Sequence, residues 1–398
     1  MPDATLALNG GTPARETFLP YGHQSISEED IAAVSKALRG DYLTTGPTVS
    51  AFESAFLAYV GVEHAVAVSN GTAALHCAMY ALEIGPGDEV IVPAMTFAAT
   101  ANAVLMQRAT PVVADVDAES LLIDPEDVER KITKKTKAVI AVDYAGQPCD
   151  YDALHTLCKK HNLFLVADAC HALGATYKGQ LVGSLADLST FSFHPVKPAT
   201  TGEGGMIVTR NKEWAERMRR FRHHNISIDP VQRQQHGTWF YAINDLGYNY
   251  RLTDIQCALG ISQLPRVASW NERRQTIAHM YDAAFAELHA MAPLAHKNDR
   301  SHAYHLYVVR WDLERVSVDR DTIFKALYAE NIGVNLHYIP IHLHALYRDQ
   351  LGMKPGLCPV AEDAYTRMLT LPLFAGMTDT DAADVVEAVR KVHAHYSK

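Results

Sequence analysis

The alternation of apolar and amphipathic segments constrains the fold of this chain most strongly. From about residue 60, short apolar runs rich in β-branched residues alternate with longer amphipathic stretches. The runs that we interpret as strands are residues 65–68, 90–92, 111–116, 138–142 and 163–167. Because strands that are nearly all apolar must be covered on both faces, the alternation predicts parallel strands joined by crossover helices. The expected fold class is therefore α/β.

The stretches between these runs have helical spacing. They are residues 72–84, 98–107, 124–131 and 151–161. Residues 124–131 begin with Asp-Pro, a capping residue followed by proline at the first helical position. Two more strands are predicted at 185–193 and 205–209, on either side of a glycine-rich segment, and a helix is predicted over 213–222.

The C-terminal part of the chain follows a different pattern. Helices are predicted over 253–264, 267–291 and 319–331, and strands over 305–311 and 333–337. We place a domain boundary near Pro265, which gives an N-terminal arm and large domain over 1–265 and a small domain over 266–398. Residues 227–242 are long for a connection and predict a loop that covers the site or crosses to another subunit.

Charge and cysteine content exclude several classes of protein. Thirty-six Lys and Arg against 45 Asp and Glu give a net charge of −9, which disfavours nucleic acid as a partner. The six cysteines lie far apart, so we expect reduced thiols in a cytoplasmic protein. No apolar run approaches the roughly 18 residues of a membrane span, and no secretory leader is recognisable. The 20 histidines include no pair at metal-binding spacing on one helix, so no metal site is expected.

The segment SNGTAAL, between a predicted strand and a predicted helix, is the first candidate functional feature. Small residues at a strand-to-helix turn leave backbone N–H groups free at the positive end of the helix dipole, which forms an anion site. The candidate donors are Gly71, Thr72 and Ala73. An ordinary helix cap is the alternative, because Ser, Thr and Asn are common capping residues.

Two charged residues follow predicted strands. Asp168 comes directly after the run 163–167, at the edge where open α/β sheets bind ligands, although it could instead cap a helix. Lys197 follows another strand, has no charged neighbour within five residues and precedes a glycine-rich turn. Partly apolar surroundings disfavour its ammonium form and make the amine available for Schiff-base chemistry. Ser192 could donate to the same anion as Thr72.

Together these segments resemble the DegT-type sugar-nucleotide aminotransferases, pyridoxal-phosphate enzymes with the aspartate-aminotransferase fold. Five motifs match in order, and the similarity covers essentially the whole chain: SNGTAAL, PAMTFAATANAV, DACHALGA, FSFHPVKPATTGEGG and GYNYRLTDIQCALG. The resemblance implies fold type I of these transferases. In this fold a large domain, with a mostly parallel seven-stranded sheet sandwiched by helices, is followed by a smaller C-terminal α+β domain.

The resemblance also assigns roles around pyridoxal 5′-phosphate, with pyridoxamine 5′-phosphate as the intermediate form. Lys197 would form a Schiff base with the cofactor and would later move a proton as a free amine. Asp168 would keep the pyridine nitrogen protonated, Phe97 would cover the ring and His171 would lie near the ring oxygen. The residues expected at the phosphate are Gly71, Thr72, Ala73, Ser192 and, from a partner chain, Asn249. A site shared in this way implies a homodimer.

Further stretches are most similar to the transaminases that form UDP-4-amino-4,6-dideoxy-N-acetyl-β-L-altrosamine in pseudaminic acid synthesis: LPYGHQSI, DYLTTGP, VDYAGQP, HLYVVRW and HYIPIH. The expected reaction moves the amino group of L-glutamate to C4 of a UDP-linked 4-keto-6-deoxy-N-acetylhexosamine and releases 2-oxoglutarate. The residues expected at the substrate are Tyr21, Asp41, Tyr42, Leu43, Thr44, Gly71, Phe97, Ser192, Asn249, Arg251, His337, Tyr338, Ile339 and Pro340. The alternative for these residues is a structural role in a dimer interface.

Two other functions remain open. One is amino transfer to a different UDP- or dTDP-linked 4-keto or 3-keto sugar. The other is a non-catalytic regulator that senses a sugar nucleotide, which would be expected to lose Lys197 or Asp168. A departure from the family pattern is Asn225, which stands where relatives have glycine; the turn can survive because Asn tolerates a left-handed backbone.

Overall fold

The computed structural model describes residues 5–227, 237 and 239–398. The predicted loop 227–242 therefore lies for the most part outside the described residues. Its two ends are joined, because the Ser227 N–H donates to the carbonyl oxygen of Ala242 over 2.9 Å.

The strands form a seven-stranded central sheet, a three-stranded sheet and a short hairpin. They are β1 (His64–Val68), β2 (Glu89–Pro93), β3 (Thr110–Ala114), β4 (Thr136–Val142), β5 (Phe164–Asp168), β6 (Thr176–Tyr177), β7 (Gln180–Leu181), β8 (Leu188–Ser192), β9 (Gly205–Thr209), β10 (Met291–Pro293), β11 (Tyr307–Trp311) and β12 (Met368–Leu371). The central sheet has the order β1-β9-β8-β5-β4-β2-β3. Only β9 runs against its neighbours, so the predicted α/β fold with a mostly parallel seven-stranded sheet is confirmed.

Helices flank this sheet. In the described residues they are α1 (Glu28–Leu38), α2 (Pro47–Val60), α3 (Gly71–Ala81), α4 (Ala99–Met106), α5 (Pro125–Lys131), α6 (Tyr151–His161), α7 (Lys212–Phe221), α8 (Asp254–Gln263), α9 (Val267–Phe285), α10 (Arg320–Ala329), α11 (Ala345–Leu351), α12 (Pro359–Arg367) and α13 (Asp379–Tyr396). The predicted start of α5 is confirmed, because Asp124 accepts a hydrogen bond from the Glu126 N–H and Pro125 follows it. None of the helices in this part of the chain is long and apolar enough to cross a membrane.

Two sequence predictions in the C-terminal part are wrong. Residues 333–337 do not form a strand and make only an isolated bridge between Asn335 and Thr370. The helix predicted to reach residue 291 ends at Phe285, and the residues after a short turn form β10. Pairing of β10 with β11 decides this local structure, which helical spacing could not reveal.

Buried apolar residues form two clusters. The larger cluster surrounds the central sheet, and the smaller one is built mostly from α9, α10, α13 and the three-stranded sheet. Leu6 from the N-terminal arm belongs to the smaller cluster, whereas Ile341 and Tyr347 from the C-terminal part belong to the larger one. Because the N-terminal arm packs with the smaller cluster and an internal segment of the C-terminal part packs with the larger one, the boundary near Pro265 stays a proposal.

The sheet brings several strand ends to one edge. Since β1 and β8 both run antiparallel to β9, β1 points in the same direction as β8 and the remaining parallel strands. The residues that follow β1, β2, β4, β5 and β8 therefore meet at the carboxyl edge of the sheet, where open α/β folds bind ligands.

Candidate active site

A pocket of about 550 Å³ lies at this carboxyl edge. Its walls include Val142, Asp168 and Ser192, which are the last residues of β4, β5 and β8. The residues predicted from the sequence that line the pocket are Tyr21, Gly71, Thr72, Phe97, Asp168, His171, Ser192, Lys197, His337 and Tyr338. The fold thus collects side chains from distant parts of the chain into one cavity.

Asp168 is held in place by hydrogen bonds. Its Oδ2 accepts from the hydroxyl of Thr100 over 2.8 Å, and its Oδ1 accepts from the Cys170 N–H over 3.3 Å. The Thr100 hydroxyl also lies 2.7 Å from that of Thr96. The segment after Asp168 consists of turns rather than a helix, so this carboxylate is not used as a helix cap. A buried carboxylate with fixed orientation is available to a ligand in the pocket.

The N-terminus of α3 forms another part of the pocket wall. The Asn70 side chain caps this helix by accepting from the Ala73 N–H over 2.8 Å. The Ala74 N–H donates to the Asn70 carbonyl, which leaves the N–H groups of Gly71 and Thr72 available in this first turn. Two N–H groups at the positive end of an 11-residue helix suit an anion such as phosphate.

Ser192 lies directly against this turn. A Cβ atom added to Gly71 would lie 2.9 Å from the Ser192 Cβ and 3.3 Å from its hydroxyl oxygen. Glycine is therefore required here by close approach of β8 to the start of α3. This contact places the Ser192 hydroxyl beside the free N–H groups of the turn, as an additional donor for the same anion.

Lys197 follows β8 in a turn, where its N–H donates to the His194 carbonyl. Its Nζ lies 3.3 Å from Nε2 of His305, which is hydrogen-bond distance. Removal from water lowers the pKa of Lys197, and the nearby Cys170 and Asp168 oppose this shift. The Lys197 amine is therefore less strongly protonated than an exposed lysine, and its hydrogen-bond partner, His305, is a neutral imidazole.

Three buried histidines surround the amine of Lys197. Burial, reinforced by the charge of Lys197, lowers the pKa of His171 and His305 well below the usual range and that of His337 to about 3. The rings of His171 and His305 lie 4.4 Å apart between centroids, and Nε2 of His171 lies 3.1 Å from the Tyr338 hydroxyl. All three imidazoles are neutral at pH 7, so they act as hydrogen-bonding groups and not as cations.

Aromatic side chains frame the mouth of the pocket. Phe97 is 59% exposed, and its ring lies 5.9 Å from that of Tyr338. The Tyr21 ring lies 5.1 Å from the ring of His337, whose Nδ1 is 2.9 Å from the Thr370 hydroxyl. This mouth offers flat surfaces and polar atoms for stacking and hydrogen bonding with a ligand.

Some predicted site residues do not line the pocket of a single chain. These are Asp41, Tyr42, Leu43, Thr44, Ala73, Asn249, Arg251, Ile339 and Pro340. Asn249 is exposed and pairs with His223 in an isolated bridge, and Arg251 lies 2.8 Å from Nδ1 of the same histidine. The N–H of Ala73 is used by Asn70. Asn225 has a left-handed backbone with φ of 55°, which confirms the prediction for that turn.

Two residues that contact the side chains of the site escaped the sequence analysis. Thr100 binds Asp168 and His305 contacts Lys197, and neither was proposed as a site residue. A signal for Thr100 was available, because it lies within the matching motif PAMTFAATANAV. His305 begins the matching stretch HLYVVRW, but no local pattern links it to Lys197, from which 108 residues separate it.

Comparison with known proteins extends this picture. Residues 24–390 match the DegT/DnrJ/EryC1/StrS aminotransferase family. The spore coat polysaccharide biosynthesis protein SpsC of Bacillus subtilis is 42% identical over 381 residues, which cover 95% of this chain and 98% of SpsC.

Two solved structures are also similar. PseC of Helicobacter pylori, an aminotransferase involved in the biosynthesis of pseudoaminic acid, is 32% identical with a TM-score of 0.89, covering 96% of this chain and 100% of PseC. Spr1654 of Streptococcus pneumoniae, in its PLP form, is 34% identical with a TM-score of 0.87, covering 95% of this chain and 99% of Spr1654. With a family match over most of its length, this chain belongs to the DegT/DnrJ/EryC1/StrS aminotransferase family.

Proposed function

We propose that this member of an aminotransferase family uses pyridoxal 5′-phosphate to move the amino group of L-glutamate to C4 of a UDP-linked 4-keto-6-deoxy-N-acetylhexosamine. The products would be UDP-4-amino-4,6-dideoxy-N-acetyl-β-L-altrosamine and 2-oxoglutarate, a step of pseudaminic acid synthesis. The observation that carries this proposal is one pocket that holds Asp168, Lys197 and the start of α3 together.

The pocket fits pyridoxal 5′-phosphate in the chemistry of its walls. The turn at Gly71 and Thr72 and the Ser192 hydroxyl would hold the phosphate, and Asp168 would hold the ring nitrogen. Lys197 would form the covalent link. Gly71 leaves space that a Cβ would fill, and the buried Nδ1 of His171 has no hydrogen-bond partner among the described residues.

The residues of the pocket can perform amino transfer. When bound, the cofactor supplies an electron-accepting ring and a carbonyl carbon that carries the amino group from donor to acceptor. Asp168, oriented by the Thr100 hydroxyl, would stabilise a proton on the ring nitrogen. Lys197, with its lowered pKa, can take a proton from Cα of L-glutamate and deliver one to C4 of the sugar. Nε2 of His305 lies within hydrogen-bond distance of this amine when it is free.

The sugar-nucleotide part of the proposal rests on similarity and on the pocket mouth. PseC is named for pseudoaminic acid biosynthesis and covers 96% of this chain, while SpsC is named for spore coat polysaccharide biosynthesis. Tyr21, His337 and Tyr338 at the mouth supply stacking surfaces and polar atoms that suit a sugar. The predicted substrate residues Asp41, Tyr42, Leu43 and Thr44 are exposed. They would reach the substrate from the partner subunit.

A homodimer is part of the proposal. Large apolar side chains are exposed on the single chain, including Phe97 (59%) at the pocket mouth and Tyr42 (58%) and Leu43 (48%) before α2. A second subunit would cover them. The exposed Asn249 would then reach the phosphate of the neighbouring subunit.

The experiment that tests the proposed function has two parts. Borohydride reduction of the holoenzyme, followed by peptide mass spectrometry, should place the cofactor on Lys197 and leave the Lys197→Ala variant unlabelled. Incubation with L-glutamate and a panel of UDP- and dTDP-linked 4-keto sugars should give product fastest from the UDP-linked 4-keto-6-deoxy-N-acetylhexosamine. Labelling of a different lysine would overturn the mechanism, and preference for a dTDP sugar would overturn the substrate.

A further inference from the structure

Arg274 is a buried cation for which the described residues provide no counter-ion. The residue lies in α9 and is 4% exposed. Its Nε and Nη1 atoms are buried and have no hydrogen-bond partner within residues 5–227, 237 and 239–398. By contrast, its sequence neighbours Arg266 and Arg273 form ion pairs with Asp30 and Asp379. Burying a guanidinium without any acceptor is costly, so an acceptor is expected beside it.

A small cavity adjoins this guanidinium. It has a volume of about 10 Å³ and shares Lys197 with the candidate active site. Lys197 and Arg274 line the cavity together with His23, and none of its described lining residues is Asp or Glu. The centre of a water-sized particle can move over this volume, so the cavity has room for one water molecule or one monatomic anion.

Two other polar side chains of the cavity wall, those of Gln263 and Thr200, already make hydrogen bonds elsewhere. The Gln263 amide nitrogen donates to the Ser25 carbonyl (2.9 Å) and to Asp30 (2.7 Å). Its amide oxygen accepts from the Thr200 N–H over 3.2 Å. The Thr200 hydroxyl donates to the Phe193 carbonyl over 3.0 Å. The hydrogen bonds of these two residues go to other partners and not to the Arg274 guanidinium.

We propose that this cavity, the Arg274 cavity, binds one small monovalent anion that accepts hydrogen bonds from the guanidinium. The shared chemistry is a single negative charge on an atom or group small enough for the cavity. It could come from a free halide ion or from a carboxylate oxygen of the amino donor that reaches past Lys197. The proposal does not depend on the sugar substrate.

An anion in this cavity has a consequence for Lys197. A negative charge nearby favours the ammonium form, so halide should slow the reaction of the Lys197 amine with an acylating reagent in the cofactor-free enzyme at fixed pH. Peptide mass spectrometry would measure that rate. This readout does not depend on turnover.

Crystals grown or soaked in sodium bromide test the site directly, because bromide gives an anomalous signal and water does not. We expect an anomalous peak at hydrogen-bond distance from the Arg274 guanidinium in the wild type and in the control variant Arg273→Met. The peak should be absent from Arg274→Met. A wild-type crystal with only water in the cavity, or with bromide only on the surface, would overturn the proposal, even if Arg274→Met failed to fold.

Thermal unfolding supplies a solution measurement. At equal ionic strength, bromide should raise the melting temperature of the wild type and of Arg273→Met by about 1–3 °C relative to gluconate, a bulkier anion. Arg274→Met should show no difference in melting temperature, and an equal rise in this variant would contradict a specific site.

A competition experiment in bromide-loaded crystals distinguishes the two sources of the charge. Displacement of bromide by added 2-oxoglutarate would identify the donor carboxylate, and retention of bromide would identify free halide.

Discussion

Thr100 is the residue outside the predicted set that acts most directly on the candidate site. Its hydroxyl donates to the buried Asp168 carboxylate over 2.8 Å. Thr100→Val keeps the shape and removes the donor, and a hydrogen bond to a charged group contributes about 1.5–3 kcal/mol. We expect cofactor affinity to fall roughly 10-fold, measured by titrating the cofactor-free enzyme with pyridoxal 5′-phosphate.

A matched control for this change is Thr156→Val. Thr156 is exposed on α6, and its hydroxyl donates to the Asp152 carbonyl over 2.8 Å. This variant should bind the cofactor like the wild type. An affinity of Thr100→Val within twofold of the wild type would show that orientation of Asp168 does not depend on this hydroxyl.

His302 makes the stability of the protein depend on pH. Burial lowers its pKa from 6.5 to about 3, and its Nδ1 accepts from the Tyr304 N–H over 2.8 Å. Below pH 6.5 the unfolded chain binds a proton at this residue and the folded protein does not, so the free energy of unfolding falls as pH decreases towards 3. At pH 5, this single group lowers the free energy of unfolding by about 2 kcal/mol relative to neutral pH.

The variant His302→Asn keeps an acceptor for the Tyr304 N–H and removes the titration. Urea unfolding at pH 7.5 and at pH 5 should therefore show a loss of stability that is about 2 kcal/mol smaller than in the wild type. His279→Asn, at an exposed position of α9, should keep the wild-type loss. Equal losses in all three proteins would show that His302 is protonated without unfolding.

At the scale of elements, the start of α3 combines helix capping with close packing. A Cβ on Gly71 would lie 2.9 Å from the Ser192 Cβ and 3.4 Å from Cys170 Sγ. Alanine favours a helix by up to about 1 kcal/mol over glycine, whereas overpacking costs about 1–3 kcal/mol. Gly71→Ala should therefore lower the free energy of unfolding by about 1–2 kcal/mol and weaken phosphate-dependent cofactor binding.

Gly85→Ala is the control for this element. Gly85 lies between α3 and β2, and nothing lies within 4 Å of the position that its Cβ would take. The control should keep wild-type stability and cofactor affinity in urea unfolding and in the same titration. Unchanged affinity in Gly71→Ala would mean that the turn does not contact the phosphate.

The elements also show how far sequence could predict this structure. The central strands were predictable because each is a short, nearly all apolar run, as burial on both faces requires. Asp168 and Lys197 were identifiable as candidates because each follows such a run. Residues 333–337 were mispredicted, since their apolar residues contact neighbouring segments without joining a ladder. His305 could not be found locally, because tertiary packing alone brings it to Lys197.

At the scale of the whole molecule, the single chain leaves its site open on one side. Trp239 is 86% exposed and Phe240 is 55% exposed, in addition to the aromatic residues at the pocket mouth. Asn249, expected at the phosphate, does not line the pocket of its own chain. These observations favour a dimer in which each site uses residues of both subunits.

Mixed dimers test this shared site. In a dimer that pairs a Lys197→Ala chain with an Asn249→Ala chain, one site carries both changes and the other is intact if Asn249 acts across the interface. Random assembly of equal amounts makes about half of the dimers mixed, so about a quarter of all sites should be active. Co-expression with two affinity tags, followed by assay at limiting cofactor, measures this recovery.

The control pair combines Lys197→Ala with Asp168→Ala. This pair should recover no activity, because both residues line the pocket of their own chain. Failure of the first pair to exceed its parent variants would place Asn249 in the site of its own subunit or outside the site.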